Sequence, residues 1–588
     1  MKLRFILCLA AFVFLEAGPA LADQPLLLKG GKIYTANDRQ PQAEAVLALD
    51  GRIAFVGSAA EAEKRAPGGV RVVDLRGRTV VPGLTDAHVH LAGVGFRELT
   101  FNLEGTASLA ELQTRLRERA AHAPAGRWLT GRGWIESKWA PARFPTAADL
   151  DRAVSDVPVC LKRADGHAIV VNSLALRLAR IDRSTPNPTG GEILRDPATG
   201  EATGMIIDNA MTLVERLIPG PTAEETAHAF AVGAAREVAL GWTQIHEAGS
   251  DLDEVATLRR LAAEGSIKLR IYDAVSGPGP AADWLLAAGA QREADGGRFA
   301  ARAIKLYADG ALGSRGAALL EPYADAPEAT GLIRNSEDRL MPVLVAALRR
   351  GIQIETHAIG DRGNRYVLDL YERAFAAVPA DERAVREPRW RIEHAQVLAP
   401  ADLPRFSRLG VIASMMPSHA ISDLFFAPSR LGPARLTGAY AWRSLLDSGA
   451  TVVGGSDAPV ERGEPMVEFY AAVARRALNG FSDENWHREQ RLSRMEALKL
   501  FTIWPAFASF QERERGSIEP GKVADFTVLS ADIMEIPEAG ILAAHCVMTI
   551  IGGEIVHAAK PWAADRTERE ASAKQNVTSP HRLLSTNS

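Results

Sequence analysis

Val81-Pro-Gly-Leu-Thr-Asp-Ala-His-Val-His90 begins as an apolar run and ends in two histidines two residues apart. Side chains two apart on a strand point to one face, so the two imidazoles converge. Two nitrogen donors on one face are half of a metal site, although a chance pair of surface histidines meets the same spacing. Outward from this stretch the style recurs. Buried-strand candidates lie at 81–90, 242–247, 267–275, 302–309, 352–357, 390–394, 411–417 and 451–457, with helical patterns such as 338–350, 364–377 and 465–478 between them. Strand followed by helix, repeated, builds right-handed βαβ units and a parallel sheet. Eight such strands predict an α/β fold, a (β/α)8 TIM barrel with its functional residues at the C-terminal strand ends. A doubly wound open sheet is the alternative.

The gap from the first strand to Trp242 is too long for one helix and predicts an inserted subdomain at about 100–240. Before the barrel, Gly30-Gly31, Asp50-Gly51 and Arg76-Gly77 punctuate short apolar runs as hairpin-type turns, and Gly552-Gly553 does the same near the far end. Two β-rich ends predict one composite β-sandwich from 23–84 and 506–560 around a barrel at 85–505, since either end alone has too little core. Residues 1–22 combine Lys2 and Arg4, an apolar run and Ala20-Leu21-Ala22. That pattern is a secretory signal cleaved after Ala22, and the apolar run is too short to span a bilayer. The expected location is outside the cytoplasm, periplasmic or secreted in a bacterium. Cys160 and Cys546 then remain, far apart and without a pairing motif, and read as small buried hydrophobes. The polar tail 561–588 lacks apolar periodicity and reads as disordered.

The chain has 588 residues, 47% hydrophobic and 24% charged, which excludes wholesale disorder, collagen-like repeats and coiled coil. A net charge of -4, from 68 basic and 72 acidic side chains, supplies no concentrated basic face for nucleic acid.

Chemistry-bearing residues recur at the strand ends. His357 closes Gln353-Ile-Glu-Thr-His357, His394 closes Arg391-Ile-Glu-His394, and Asp457 closes Val452-Val-Gly-Gly-Ser-Asp457. One histidine in such a place is commonly a core or rim residue; four histidines and an aspartate in a repeated context are harder to explain so. Lys305 lies mid-strand in Ala303-Ile-Lys305-Leu-Tyr307-Ala-Asp309, facing inward with Asp309. Burial disfavours its charged form, and a neutral amine can add carbon dioxide to give a carbamate. A buried Lys305–Asp309 ion pair fits the spacing equally well.

These residues, with the Val81–His90 phrase and Gly516-Ser-Ile-Glu-Pro-Gly-Lys-Val-Ala-Asp525, resemble the amidohydrolase superfamily. Gly133-Trp134, Arg163-Ala-Asp165-Gly-His167, Lys305-Leu-Tyr-Ala-Asp309-Gly-Ala-Leu-Gly-Ser314-Arg315 and His357-Ala-Ile-Gly-Asp361-Arg362 narrow the resemblance to amidohydrolase family 3, the branch with N-substituted formamide deformylases. It runs from about residue 26 to 557.

The resemblance implies a centre of one or two divalent ions, zinc by default. His88, His90 and Asp457 would bind one ion and His357 and His394 the other, with Lys305 as a bridging N6-carboxylysine. Two metals would acidify a bridging water, one would polarise the scissile carbonyl, and Asp457 would pass the proton to the leaving amine. The expected activity is hydrolysis of a non-peptide carbon–nitrogen bond in a small amide, N-formyl or N-acyl substrate. A deaminase or cyclic-amide hydrolase shares this logic, and a metal-free ligand-binding descendant is the non-enzymatic alternative. No nucleic-acid partner and no stable membrane insertion is expected, and a homodimer is compatible with the sequence.

Other polar residues carry weaker expectations. Asp86 shares the face of His88 and His90 and would orient an imidazole or cap the structure. Asp165 and His167 would reach substrate from the insertion or form a loop turn. His246 would line the pocket or fill the core, and His419, after strand 7, is similarly placed. Asp309 and Arg315 would shape the substrate pocket.

Overall fold

The computed structural model describes residues 24–122, 126–136, 139–163, 166, 168–188, 191–292, 297–483 and 486–560. The expected signal at 1–22, the tail at 561–588, Asp165 and His167 all lie outside the described residues.

Eight parallel strands form the central sheet: β1 (Leu84–Val89), β2 (Trp242–Ser250), β3 (Arg270–Ser276), β4 (Phe299–Tyr307), β5 (Gln353–Ala358), β6 (Arg391–His394), β7 (Ile412–Met415) and β8 (Val452–Gly454). Hydrogen bonding joins them in chain order. A parallel bridge from Val89 to Ala458 brings the end of β1 against the residues after β8. The sheet is thus a nearly closed TIM barrel, and each predicted run overlaps one strand. All residues of β1, β6, β7 and β8 are buried, as strands covered on both faces require. That double burial made the runs legible as short, nearly continuous apolar segments.

Strands from both ends of the chain share a second sheet. Its order is Glu554–Ala558, Cys546–Ile551, Phe526–Leu529, Thr79–Pro82, Leu26–Tyr34, Gln42–Leu49 and Arg52–Gly57, and Arg71–Asp74 also pairs with Leu26–Tyr34. The ends meet where Thr79–Pro82 pairs antiparallel with Phe526–Leu529, Val80 opposite Val528. One apolar cluster, including Leu28, Val46, Val80, Phe526, Val528 and Ile550, joins the contributions.

Of the predicted turns, Asp50-Gly51 and Gly552-Gly553 close hairpins, with φ of +49° and +73°, and +61° and +79°. Gly30-Gly31 instead sits inside Leu26–Tyr34, where the register shifts between Lys29 and Ile33. A Cβ on Gly30 would lie 2.4 Å from Asp74 Oδ1, and one on Gly31 2.3 Å from the Arg78 carbonyl. The glycines permit a bulge and a close approach, not a reversal. Arg76-Gly77 reverses nothing between partners either, because Arg71–Asp74 and Thr79–Pro82 each run parallel to Leu26–Tyr34.

A separate compact unit comprises His90–Arg236 and Asp253–Ile267. Its six-stranded sheet runs Gly191–Arg195, Ala202–Asp208, Ala168–Val171, Val159–Arg163, Leu129–Trp134 and Phe101–Asn102. Alternation sends Leu161 and Val170 to one apolar cluster and Cys160 and Ile169 to another, so both faces are covered. Cys160 and Cys546 are free and buried. Among the described residues no helix is long and apolar enough to cross a membrane.

Candidate functional site

The barrel seam sets the first donor. Asp86, on β1, accepts the backbone N–H groups of His88 (3.1 Å) and Ser456 (2.9 Å) and the Ser456 hydroxyl (2.5 Å). The Asp457 N–H donates to the His88 carbonyl at 2.8 Å. Asp86 therefore stitches β1 to the loop after β8 through backbone N–H groups and the Ser456 hydroxyl, and burial raises its pKa to about 7.

The imidazole is oriented by Glu393, which sequence reasoning missed. Glu393 Oε2 is bonded to His88 Nδ1. With Nδ1 donating, the Nε2 lone pair points at Lys305 Nζ (3.1 Å) and Asp457 Oδ1 (3.6 Å). Burial, reinforced by Lys305, lowers the His88 pKa to about 4, so the ring is neutral. Burial also lowers the pKa of Lys305. No Lys305–Asp309 ion pair occurs among the described residues. The Asp309 carboxylate instead accepts N–H groups of Ala318 (2.8 Å), Ile359 (2.9 Å) and Gly360 (2.8 Å), with His357 Nε2 at 3.6 Å. It pins the loops after β4 and β5, and burial raises its pKa to about 6.

Below this level Arg391 crosses the barrel. It reaches Glu393 Oε1 (2.8 Å), Glu355 Oε1 (3.0 Å), His246 Nδ1 (2.9 Å), the Ala87 carbonyl (2.6 Å) and Ser414 Oγ (2.9 Å). One guanidinium thus ties β6 to β5, β2, β1 and β7. Burial alone would push Glu393 up, but Arg391 and His88 hold it below the usual carboxylate range. Glu355 is raised to about 8, chiefly by burial. His246 belongs to this network, and burial with Arg391 beside it pushes its pKa well below the ordinary histidine value.

The remaining imidazoles pack together. His394 contacts His357 edge to face with centroids 4.5 Å apart, and lies 5.1 Å from His88 and 5.7 Å from His419. His394 and Asp457 hold φ of +73° and +58°, a strained conformation that recurs where a site is preorganised. His357 Nε2, His394 Nδ1 and His419 Nε2 are buried with no hydrogen-bond partner among the described residues. Burial lowers the pKa of His357 to about 3 and that of His394 well below its usual value. Buried imidazoles with orphaned nitrogens beside a carboxylate fit a divalent cation, since buried polar atoms otherwise find partners.

His90 directly follows β1 and is the N-cap residue of helix Leu91–Leu99. Arg315 is a surface residue paired with Asp325 through Nε (3.2 Å) and Nη2 (3.1 Å).

A family model described as amidohydrolase family matches residues 71–557. The protein YtcJ of Bacillus subtilis (strain 168) is 33% identical over 538 residues, covering 90% of this chain and 98% of its own. An N-substituted formamide deformylase of Arthrobacter pascens is 28% identical over 549 residues, covering 90% and 97%. Among solved structures, an uncharacterized metal-dependent hydrolase from Pyrococcus furiosus matches with a TM-score of 0.70 at 27% identity, over 87% of this chain and 100% of that one.

Proposed function

The chain belongs to the amidohydrolase family, and from that premise we propose that this metal-dependent hydrolase cleaves the carbon–nitrogen bond of a small non-peptide amide, N-formyl or N-acyl in type. The observation that carries the reading is the group of buried imidazoles at the C-terminal strand ends, where His394 and His419 each bring a donor atom beside Asp457 and where His394 Nδ1 and His419 Nε2 have no hydrogen-bond partner among the described residues. The similarity to an N-substituted formamide deformylase supports the choice of bond.

By the family resemblance His88, His90 and Asp457 would hold one ion and His357 and His394 a second, and zinc is the ion proposed. A divalent cation in such a set acidifies water and polarises a carbonyl oxygen. The chain's own residues do the rest. Glu393 fixes the His88 ring so that Nε2 faces inward. Lys305, made less basic by burial, supplies the neutral amine that carbamate formation requires. Asp457 presents Oδ1 toward His88 and Oδ2 toward His419. It takes up a proton from the attacking water as that oxygen bonds to the carbonyl carbon, and returns it to the amine nitrogen as the carbon–nitrogen bond breaks. Asp309, with its oxygens committed to three backbone N–H groups, keeps the β4 and β5 loops in place.

Zinc-loaded and chelator-treated protein are assayed for amine release from a panel of N-formyl, N-acyl and cyclic amides. The expected result is metal-dependent amine release from an acyclic member. Turnover confined to cyclic amides, or ammonia release from amino-heterocycles alone, overturns the choice of bond. Export through residues 1–22 is part of the proposal; a mature N-terminus at Asp23 in secreted or periplasmic material is its test.

A further inference from the structure

The ligand set implied by the resemblance uses the ends of β1, β4, β5, β6 and β8 and gives β7 nothing to do. Yet His419, in helix Pro417–Ser422 just after β7, places Nε2 3.5 Å from Asp457 Oδ2. Its ring stacks on His394 with planes 7° from parallel. One donor atom from each of His394, His419 and Asp457 lies within 4.8 Å of the other two. Both residues are buried, at 4% and 8% exposed. His394 Nδ1 and His419 Nε2 have no hydrogen-bond partner among the described residues. His357, by contrast, turns Nε2 toward Asp309 and joins no such three-donor group among them.

The helix that carries His419 is tied down at two points. Ser418 N–H donates to buried Glu468 Oε2 at 2.9 Å. The Ser422 hydroxyl donates to Glu461 Oε1 at 2.5 Å, fastening the helix to the loop after β8 that carries Asp457. Two histidine nitrogens and a carboxylate oxygen, held on fixed elements, are a three-ligand set that leaves an open position for water or substrate.

We propose that His394, His419 and Asp457 form a binding position for a divalent transition-metal cation, with His419 as a direct ligand from β7. The inference rests on the metal-dependent reading above and changes who holds the ion.

The test uses full-length protein stripped by chelator and reloaded with cobalt(II), read by bound metal per chain, dissociation constant by chelator competition, and the visible cobalt spectrum. His419→Asn should weaken cobalt binding by more than the roughly 10–100-fold that loss of an outer partner produces, and alter the spectrum. His357→Asn should perturb both less. His419→Cys should restore binding and add a sulfur-to-cobalt charge-transfer band missing from the wild type, a gain that misfolding cannot imitate. The inference is overturned if His419→Asn keeps wild-type cobalt content, affinity and spectrum and His419→Cys shows no new band. Amide hydrolysis by those same variants would leave the hydrolase reading standing. A wild type that binds no cobalt and cleaves no amide overturns both.

Discussion

The terminal sheet and the barrel's C-terminal strand ends are both buried β structure, yet they use burial oppositely. In the terminal sheet, Leu28, Val46, Phe526 and Ile550 turn burial into stability. At the strand ends, the buried side chains are His88, Lys305, Glu393, His394 and Asp457. Each costs free energy to desolvate, and His394 keeps Nδ1 without a hydrogen-bond partner among the described residues. One region is built to hold and the other to react. A substitution should therefore separate stability from turnover according to which region it enters.

The largest separation is expected at Asp457. Asp457→Asn removes the proton acceptor while keeping shape, so amide hydrolysis should fall by on the order of 10⁴-fold. The metal-free protein should melt at or above the wild-type temperature, since a buried carboxylate is relieved. A rate within 10-fold of wild type would remove Asp457 from the proton path.

Phe526→Ala tests the opposite region. Its side chain is fully buried in the terminal cluster, and truncation should cost about 3–5 kcal/mol. Urea midpoints should fall while kcat per folded, metal-loaded molecule stays unchanged. A kcat loss paralleling the stability loss would show that the regions are not separable. Next in size is Glu393→Gln, which loses the carboxylate that orients His88. It should weaken zinc about 10–100-fold, read by chelator competition. Unchanged affinity would mean that packing alone orients the ring.

The barrel was legible because β1 to β8 fall on short, mainly apolar runs, several of them closed by a polar residue. His88, Lys305, His394 and Asp457 were legible for the same reason: a polar side chain interrupting an apolar run stands out. Glu393 did not stand out, because its partner lies 305 residues away and only barrel closure brings them together. His419 was noticed but left between lining the pocket and filling the core, since the short helix Pro417–Ser422 that aims it at Asp457 has no sequence signature. Gly30-Gly31 was misread because a bulge and a hairpin turn need the same positive φ, and only the partner strands distinguish them. Asp165 and His167 fall outside the described residues, so the structure adds nothing to their reading.

The smallest predicted effect lies at the joint between the two regions. Asp525 immediately precedes Phe526–Leu529 of the terminal sheet, and Arg270 opens β3. Their side chains form a buried two-point pair, Nε to Oδ2 at 2.8 Å and Nη2 to Oδ1 at 3.0 Å, and the Gly552 N–H also donates to Oδ1 at 2.7 Å. Burial alone would raise the Asp525 pKa, but Arg270 beside it holds it below the ordinary value. The unfolded chain therefore takes up this proton first as pH falls. The stability contributed by the ionised carboxylate is complete above the unfolded pKa of about 4 and is lost as pH drops through the folded value, at no more than about 1.4 kcal/mol per pH unit. Asp525→Asn cannot titrate there, so the wild-type advantage in urea midpoint should be constant near neutrality and shrink only below about pH 4. An advantage that shrinks instead as pH rises would reverse the sign and mean that the pair does not hold Asp525 ionised. An advantage flat to about pH 3 would mean that shape at this joint, rather than charge, fastens the holding region to the reacting one.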